Sequence, residues 1–108
     1  MIFLRYLNDK GDGMSLTRQV KVGNVAIGGG APVAIQSMST FNPVDVSYAA
    51  AQINALGEAG ADIVRMAVPN KQAAEASADL KKVTKVPLVA DIHFDYRLAL
   101  TAMESGID

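Results

Sequence analysis

An arginine, an aspartate and a histidine are the residues of this sequence best suited to chemistry, because each stands in or at the end of a hydrophobic segment. Arg65 lies between Val64 and Met66, while Asp91 and His93, the one histidine of the chain, are two residues apart. Residues two apart in a strand face the same side, so we expect Asp91 and His93 to point into one site. Such a site would bind an anion or transfer a proton near neutral pH.

Arg65 is the most informative of these residues. A guanidinium buried in an apolar strand carries a large desolvation cost unless a counter-charge meets it. One interpretation is a structural ion pair with Asp91 on the neighbouring strand. The other is an anion site, because the planar fork of arginine binds phosphate through two parallel hydrogen bonds. Residue type alone leaves both interpretations open.

His93, Gln36 and Ser37 are weaker candidates for the same site. A single histidine is more often structural than catalytic, and with Asp91 it offers too few ligands for a metal ion. Its position at a strand end favours a hydrogen bond to a phosphoryl or hydroxyl oxygen, or a proton transfer. Gln36 and Ser37 are expected to close the first strand, where they would either bond the loop or contact a substrate.

A repeating pattern of strands and helices positions these candidates. Hydrophobic segments at 32–38, 62–68 and 87–93 predict three strands, each followed by an amphipathic helix. The predicted buried stripes are Val46, Ala49, Ala50, Ile53 and Leu56 in the first helix and Ala73, Ala76, Leu80 and Val83 in the second. The predicted N-caps are Asp45, Asn70 and Asp95, and the predicted helix stops are Gly60 and Gly106.

Apolar strands that alternate with helices indicate a parallel sheet covered by helices, so the predicted fold class is α/β. The spacing fits the first three βα units of a (β/α)8 TIM-type barrel, which needs roughly 250 residues when complete. Residues 19–28 predict a preceding β-hairpin, turning at Gly23-Asn24 and packed across the amino-terminal end of the strands. We expect 1–16 to be a loose extension and 17–108 a partial barrel domain, with Ile107 opening a fourth strand.

Composition and charge exclude several classes of function. Ten Lys and Arg against eleven Asp and Glu give a net charge of −1, which argues against general nucleic-acid binding. The sequence has no cysteine, so this chain alone builds neither a disulfide framework nor a cysteine-ligated metal site. Its apolar runs are too short for a signal peptide or a membrane span, which fits a cytoplasmic protein.

Several ordered motifs together resemble one enzyme family. They are Val22-Gly23-Asn24-Val25, Ile27-Gly28-Gly29-Gly30-Ala31-Pro32, Gln36-Ser37-Met38, Gly60-Ala61-Asp62-Ile63-Val64-Arg65 and Val89-Ala90-Asp91-Ile92-His93-Phe94-Asp95-Tyr96-Arg97. In this order they resemble the amino-terminal barrel of the 4-hydroxy-3-methylbut-2-en-1-yl diphosphate synthase family, from about Arg18 to Asp108. The loop at 39–44 departs from the Thr- and Asn-rich pattern of that family, so the resemblance assigns it no polar contacts.

The resemblance implies an oxidoreductase of non-mevalonate isoprenoid biosynthesis that opens 2-C-methyl-D-erythritol 2,4-cyclodiphosphate by two-electron reduction with loss of water. It implies a homodimer, reduced flavodoxin or ferredoxin as electron donor, and a [4Fe-4S] cluster in a separate carboxyl-terminal domain that this chain lacks. Carried over by position, Arg65 would match a diphosphate-binding arginine, His93 a substrate-contacting histidine, and Asp91 the acidic residue of the same motif. The 108 residues alone are therefore expected to be inactive.

Two other functions are compatible with the same architecture. A pterin-binding barrel of the dihydropteroate synthase type also binds a diphosphate, although the motif from Val89 to Arg97 argues against it. A flavodoxin-like binding module without catalysis is the alternative from another class. Such a module usually ends on a packed helix, whereas here the last residues predict the start of a strand.

Overall fold

A β-hairpin followed by three parallel strands alternating with helices makes up the computed structural model, which describes residues 17–40 and 42–108. The elements are β1 (Val20–Val22), β2 (Val25–Ile27), β3 (Gln36–Met38), α1 (Val46–Glu58), β4 (Ile63–Ala67), α2 (Lys71–Val83), β5 (Leu88–Asp91) and α3 (Tyr96–Glu104). The two hairpin strands pair antiparallel, while β3, β4 and β5 form a parallel sheet in that order. The predicted α/β class and hairpin are confirmed, and the predicted extension at 1–16 lies outside the described residues.

The helices cover one face of the parallel sheet. Successive side chains of a strand point to opposite faces, and on the covered face Val64, Met66 and Leu88 are 1% exposed or less. These side chains belong to one core cluster with Ile53 of α1 and Leu80 of α2, both fully buried. Burial of each large apolar side chain contributes roughly 1.5–3 kcal/mol. This layer therefore holds the sheet in place and determines which side chains point to its other face.

All three strands of the parallel sheet are shorter than predicted, β4 by one residue at each end and β3 and β5 by more. β3 begins at Gln36 rather than at residue 32, because its partner strand begins at Ile63, the residue opposite Gln36. Just before the strand, the Asp62 carboxylate accepts a hydrogen bond from the amide of Ile35 at 2.8 Å. β5 ends at Asp91 rather than at residue 93. The Asp91 carbonyl accepts a bond from the amide of Val68 at 3.1 Å, and the chain then turns into α3.

The N-caps of the helices differ from one another. Asn70 and Asp95 have extended backbone conformations and cap their helices as predicted. The Asn70 side chain accepts a hydrogen bond from the amide of Ala73 at 2.9 Å, and the Asp95 side chain accepts one from the amide of Arg97 at 3.0 Å. Asp45 precedes α1 but its side chain makes no capping hydrogen bond, so that prediction is wrong. Its ψ of 69° departs from the extended geometry that aims a cap side chain at the free helix amides.

The buried stripe of α1 matches the prediction at Ala49, Ala50 and Ile53, with Val46 and Leu56 half-buried against the core, whereas the stripe of α2 differs at one end. Ala73, Ala76 and Leu80 are buried as predicted, but Val83 is 52% exposed and Ser77 is fully buried instead. At 3.6 residues per turn Val83 lies only about 20° around the helix from buried Ala76. Its exposure therefore reflects its place as the last residue of α2 rather than its direction around the helix.

Two turns that follow helices share one design, Gly-x-Asp. Gly60 and Gly106 have positive φ values of 117° and 93°, a backbone conformation that residues with a side chain rarely adopt. Two residues after each glycine, an aspartate side chain accepts a hydrogen bond from the strand region that precedes the helix. Asp62 accepts it from the amide of Ile35 at 2.8 Å, and Asp108 accepts it from the amide of Leu88 at 3.0 Å. Each carboxylate thus ties the end of a βα unit to its beginning.

The hairpin and the last residues lie beside the start of β5. A Cβ atom on Gly23 would lie only 2.9 Å from Pro87 Cγ, so the hairpin turn packs at the amino-terminal end of β5, as predicted. Ile107 donates its amide to Ala102 O at 3.2 Å and finishes the turn after α3, so it does not open a strand. In the described part of the chain, no helix has the length and hydropathy needed to cross a membrane.

Candidate functional site

Arg65 and Asp91 lie on the face of the sheet that the helices leave open. In the strand register Met38 is opposite Arg65, Arg65 is opposite Val89, and Ala67 is opposite Asp91. Paired residues of parallel strands project to the same side, as do residues two apart along a strand. Met38, Arg65 and Asp91 therefore share one face near the carboxyl ends of the strands, where ligands bind in parallel α/β folds.

One carboxylate oxygen joins the three strongest candidates. Asp91 Oδ2 lies 3.9 Å from Arg65 Nε and 3.7 Å from His93 Nε2. Both separations exceed ordinary hydrogen-bond distances, so the attraction is electrostatic. Arg65, Asp91 and His93 are called the polar cluster below. The structure thus brings together the three residues that the sequence singled out.

Arg65 is not buried as the sequence predicted. Its side chain is 41% exposed and that of Asp91 is 32% exposed, because both lie on the open face of the sheet. Desolvation therefore does not force Arg65 to have a charged partner. An ion pair with this exposure contributes about 0–1 kcal/mol to stability, so the pair with Asp91 is a weak reason for an arginine here.

The guanidinium of Arg65 retains hydrogen-bonding capacity. Its Nε atom is shielded from solvent and has no hydrogen-bond partner among the described residues. Its Nη2 donates to Met38 Sδ at 3.6 Å, and a thioether sulfur is a weak acceptor. Most of its five N–H donors are thus available to an anionic ligand on the open face.

His93 lies beyond the strand in which the sequence placed it. It follows the end of β5 by two residues, so the alternation of a strand does not determine its direction. Its side chain is 60% exposed, and its ring meets that of Phe94 edge to face at 6.3 Å. The histidine nevertheless reaches Asp91 from this connection.

Gln36 and Ser37 begin the first strand of the parallel sheet, contrary to the prediction that they close it. The register pairs Gln36 with Ile63 and Ser37 with Val64, at the start of β4. Ser37 shares the side of Val64, which is the helix-covered face. Gln36 projects to the same side of the sheet as Arg65. It lies two residues, about 7 Å, before Met38, which is the residue opposite Arg65. The error arises because the sequence pattern does not reveal where pairing starts.

Gln52 of α1 is a polar residue that the sequence analysis missed. Its Oε1 accepts hydrogen bonds from Ser39 Oγ at 2.9 Å and from the amide of Thr40 at 2.8 Å, and its Nε2 donates to Thr40 Oγ1 at 2.9 Å. The signal was present in the sequence, because Gln52 is three residues after Ala49 and four before Leu56 on an apolar helix face.

Arg97 ends the longest motif but is paired with the N-cap of α3. Its Nε and Nη2 donate to the two carboxylate oxygens of Asp95 at 2.9 and 3.1 Å. The side-chain hydrogen bonding with Arg97 is the largest cause that holds the pKa of Asp95 below its usual value, and the bond from the Arg97 amide is the second largest. The same side-chain contact raises the pKa of Arg97. Arg97 therefore serves the helix start.

Comparison with known proteins decides the family. Residues 17–108 match the family model described as the GcpE TIM-barrel domain, which covers most of the chain. The chain belongs to the GcpE TIM-barrel domain family. This membership agrees with the resemblance found in the motifs, and it rejects both the pterin-binding barrel and the flavodoxin-like module.

Curated relatives of this GcpE-family chain carry one name. Proteins from Bacillus cereus (strain B4264) and Bacillus anthracis are 59% identical to it over 92 residues, and one from Bacillus cytotoxicus is 60% identical. All three are named 4-hydroxy-3-methylbut-2-en-1-yl diphosphate synthase (flavodoxin). The alignments cover 85% of this chain and 25% of each relative, so the chain spans about a quarter of their length.

The residues of this chain do not fit an iron–sulfur cluster, the cofactor that the family implies. The sequence contains no cysteine to supply a thiolate ligand. Among residues 17–40 and 42–108, no group of three or more His, Cys, Asp or Glu side chains is arranged to hold a metal ion.

Proposed function

We propose that the whole protein containing this chain makes 4-hydroxy-3-methylbut-2-en-1-yl diphosphate from 2-C-methyl-D-erythritol 2,4-cyclodiphosphate, by two-electron reductive ring opening with loss of water. The chain supplies the first three βα units of a (β/α)8 barrel, and these units hold the substrate diphosphate. Two observations support this proposal: the family to which the chain belongs and the relatives' shared name.

The polar cluster carries the proposed role of this chain. Arg65 offers a planar set of N–H donors that matches two oxygens of a phosphate group. The His93 side chain is exposed, so a ring nitrogen can donate to a second phosphoryl or hydroxyl oxygen. Asp91 lies close to both side chains, so it attracts and orients them rather than contacting the anion itself, which its own negative charge would repel.

The remaining parts of the activity belong to the rest of the protein. We place a [4Fe-4S] cluster, which supplies electrons, on cysteines outside this chain, and we expect a homodimer in the cytoplasm. Reduced flavodoxin or ferredoxin is the proposed donor, and the relatives' name mentions flavodoxin. Gln36 and Ser37 stay candidates for substrate contact, although their position at the start of β3 makes them weaker than Arg65.

A titration of the 108-residue chain with pyrophosphate tests the site. The titration is observed by nuclear magnetic resonance. The side-chain resonances of Arg65 and His93 should shift together and saturate with one dissociation constant. Sulfate at the same ionic strength is the control for general screening by salt. Equal shifts with both anions, or shifts centred away from β4 and β5, would remove the diphosphate site from this part of the fold.

A further inference from the structure

The side chain of Gln52 holds the segment after β3 from outside the sheet. Gln52 projects from α1 and bonds the Ser39 hydroxyl, the Thr40 amide and the Thr40 hydroxyl at 2.8–2.9 Å. Ser39 is only 4% exposed, so loss of its partner would leave a buried hydroxyl without a hydrogen bond. These contacts fix the chain just beyond the end of β3.

The same segment contacts Arg65 through both its backbone and its side chain. The amide of Ser39 donates to the carbonyl oxygen of Arg65 at 2.8 Å, which extends the ladder between β3 and β4. One residue earlier, Met38 Sδ accepts the hydrogen bond from Arg65 Nη2 at 3.6 Å. The position of Met38–Thr40 therefore determines where one side of the guanidinium rests.

Neither contact to Arg65 is strong enough to position the segment unaided. A bond to a thioether is weak, and in the described sheet β3 has only three residues and pairs with β4 alone. The bonds from Gln52 come from the helix layer and are separate from the pairing of β3 with β4. They supply the second attachment that keeps Met38 opposite Arg65.

We propose that Gln52 is a positioning residue for Arg65, acting through Ser39, Thr40 and Met38. The inference rests on the proposed function of Arg65 as the diphosphate anchor and extends it to a residue that touches no ligand. Without Gln52 the segment at 38–40 has greater freedom, the sulfur contact is lost for part of the time, and the guanidinium meets the anion in fewer productive orientations.

A double-mutant cycle in the full 108-residue chain tests this role. Pyrophosphate dissociation constants are measured for Gln52→Met, Arg65→Lys and the double variant, since methionine keeps the length of glutamine but removes the side-chain amide with its donor and acceptor. Leu56→Ala is the matched control: Leu56 lies one turn further along α1 and packs on the core. It should lower the melting temperature and leave the dissociation constant unchanged.

Gln52→Met should weaken pyrophosphate binding about three- to tenfold, the scale of one misoriented charge-assisted hydrogen bond. In the Arg65→Lys background the same change should weaken it by less than about twofold, because its effect passes through the guanidinium. An equal loss in both backgrounds, or no loss when Arg65 is present, would overturn the inference while leaving the anchor role intact.

One further outcome decides against the inference, and another calls for a replacement variant. If Arg65→Lys binds pyrophosphate as tightly as the unchanged chain, the anchor role is rejected and the inference falls with it. If Gln52→Met does not fold, Thr40→Val takes its place in the cycle, because Thr40 is exposed and its hydroxyl accepts the Gln52 Nε2 bond. Its effect should have the same sign and the same dependence on Arg65.

Discussion

Replacement of Arg65 by lysine separates a ligand anchor from a structural ion pair. The Arg65–Asp91 separation is 3.9 Å and the two side chains are 41% and 32% exposed, so the pair contributes about 0–1 kcal/mol to folding. Lysine keeps the charge, and the free energy of unfolding should therefore change by less than roughly 0.5 kcal/mol. Lysine cannot reproduce the planar fork, so binding of the diphosphate should weaken by about 1–3 kcal/mol, or roughly 5- to 150-fold.

The assay uses a chimera in which residues 17–108 replace the matching quarter of the Bacillus cereus relative. Cyclodiphosphate affinity is measured by calorimetry and stability by thermal unfolding for Arg65→Lys. Arg18→Lys is the matched control, because Arg18 is exposed and lies before the hairpin. Unchanged affinity together with a large loss of stability would refute the reasoning and leave Arg65 as part of the scaffold.

Three further predictions concern stability, each measured by chemical or thermal unfolding of the 108-residue chain. Asn70→Ala should cost about 1 kcal/mol because it removes a cap bond, whereas Asp45→Ala should change little; equal costs would contradict the cap assignment. Leu80→Ala should cost about 2–5 kcal/mol and Val83→Ala less than about 1 kcal/mol, and the reverse order would contradict the observed burial of α2. The pKa of Asp95 is lowered in the fold, so its stabilising contribution is complete above the unfolded value of about 4 and is lost as the pH falls through the lowered value. Asp95→Asn should flatten that part of the pH profile, and an unchanged profile would assign it to other groups.

The sequence predicted those features that depend on local chemistry. The strand and helix order, the Asn70 and Asp95 caps and the turn at Gly60 follow from residue types at short spacing, and the structure confirms them. Asp45 has a favourable residue type but fails as a cap. Its backbone is set by the turn before it, in which the Asp45 amide bonds Asn42 O at 2.9 Å.

The features that the sequence did not predict depend on contacts between distant segments. Pairing of Gln36 with Ile63 places Gln36 and Ser37 at the wrong end of β3 for the predicted site, and no local pattern encodes that register. The exposure of Arg65 depends on which face the helices cover. The role of Gln52 required the fold to bring α1 beside the end of β3.

Turnover by the chimera tests the central claim most directly, namely that this chain supplies the substrate-binding part of the synthase barrel. With its cluster loaded and reduced flavodoxin supplied, the chimera carrying unchanged residues 17–108 should convert the cyclodiphosphate to 4-hydroxy-3-methylbut-2-en-1-yl diphosphate, and Arg65→Ala should abolish most of that turnover. A folded, cluster-loaded chimera that neither binds nor converts the cyclodiphosphate, or one whose turnover is indifferent to Arg65, would contradict the account.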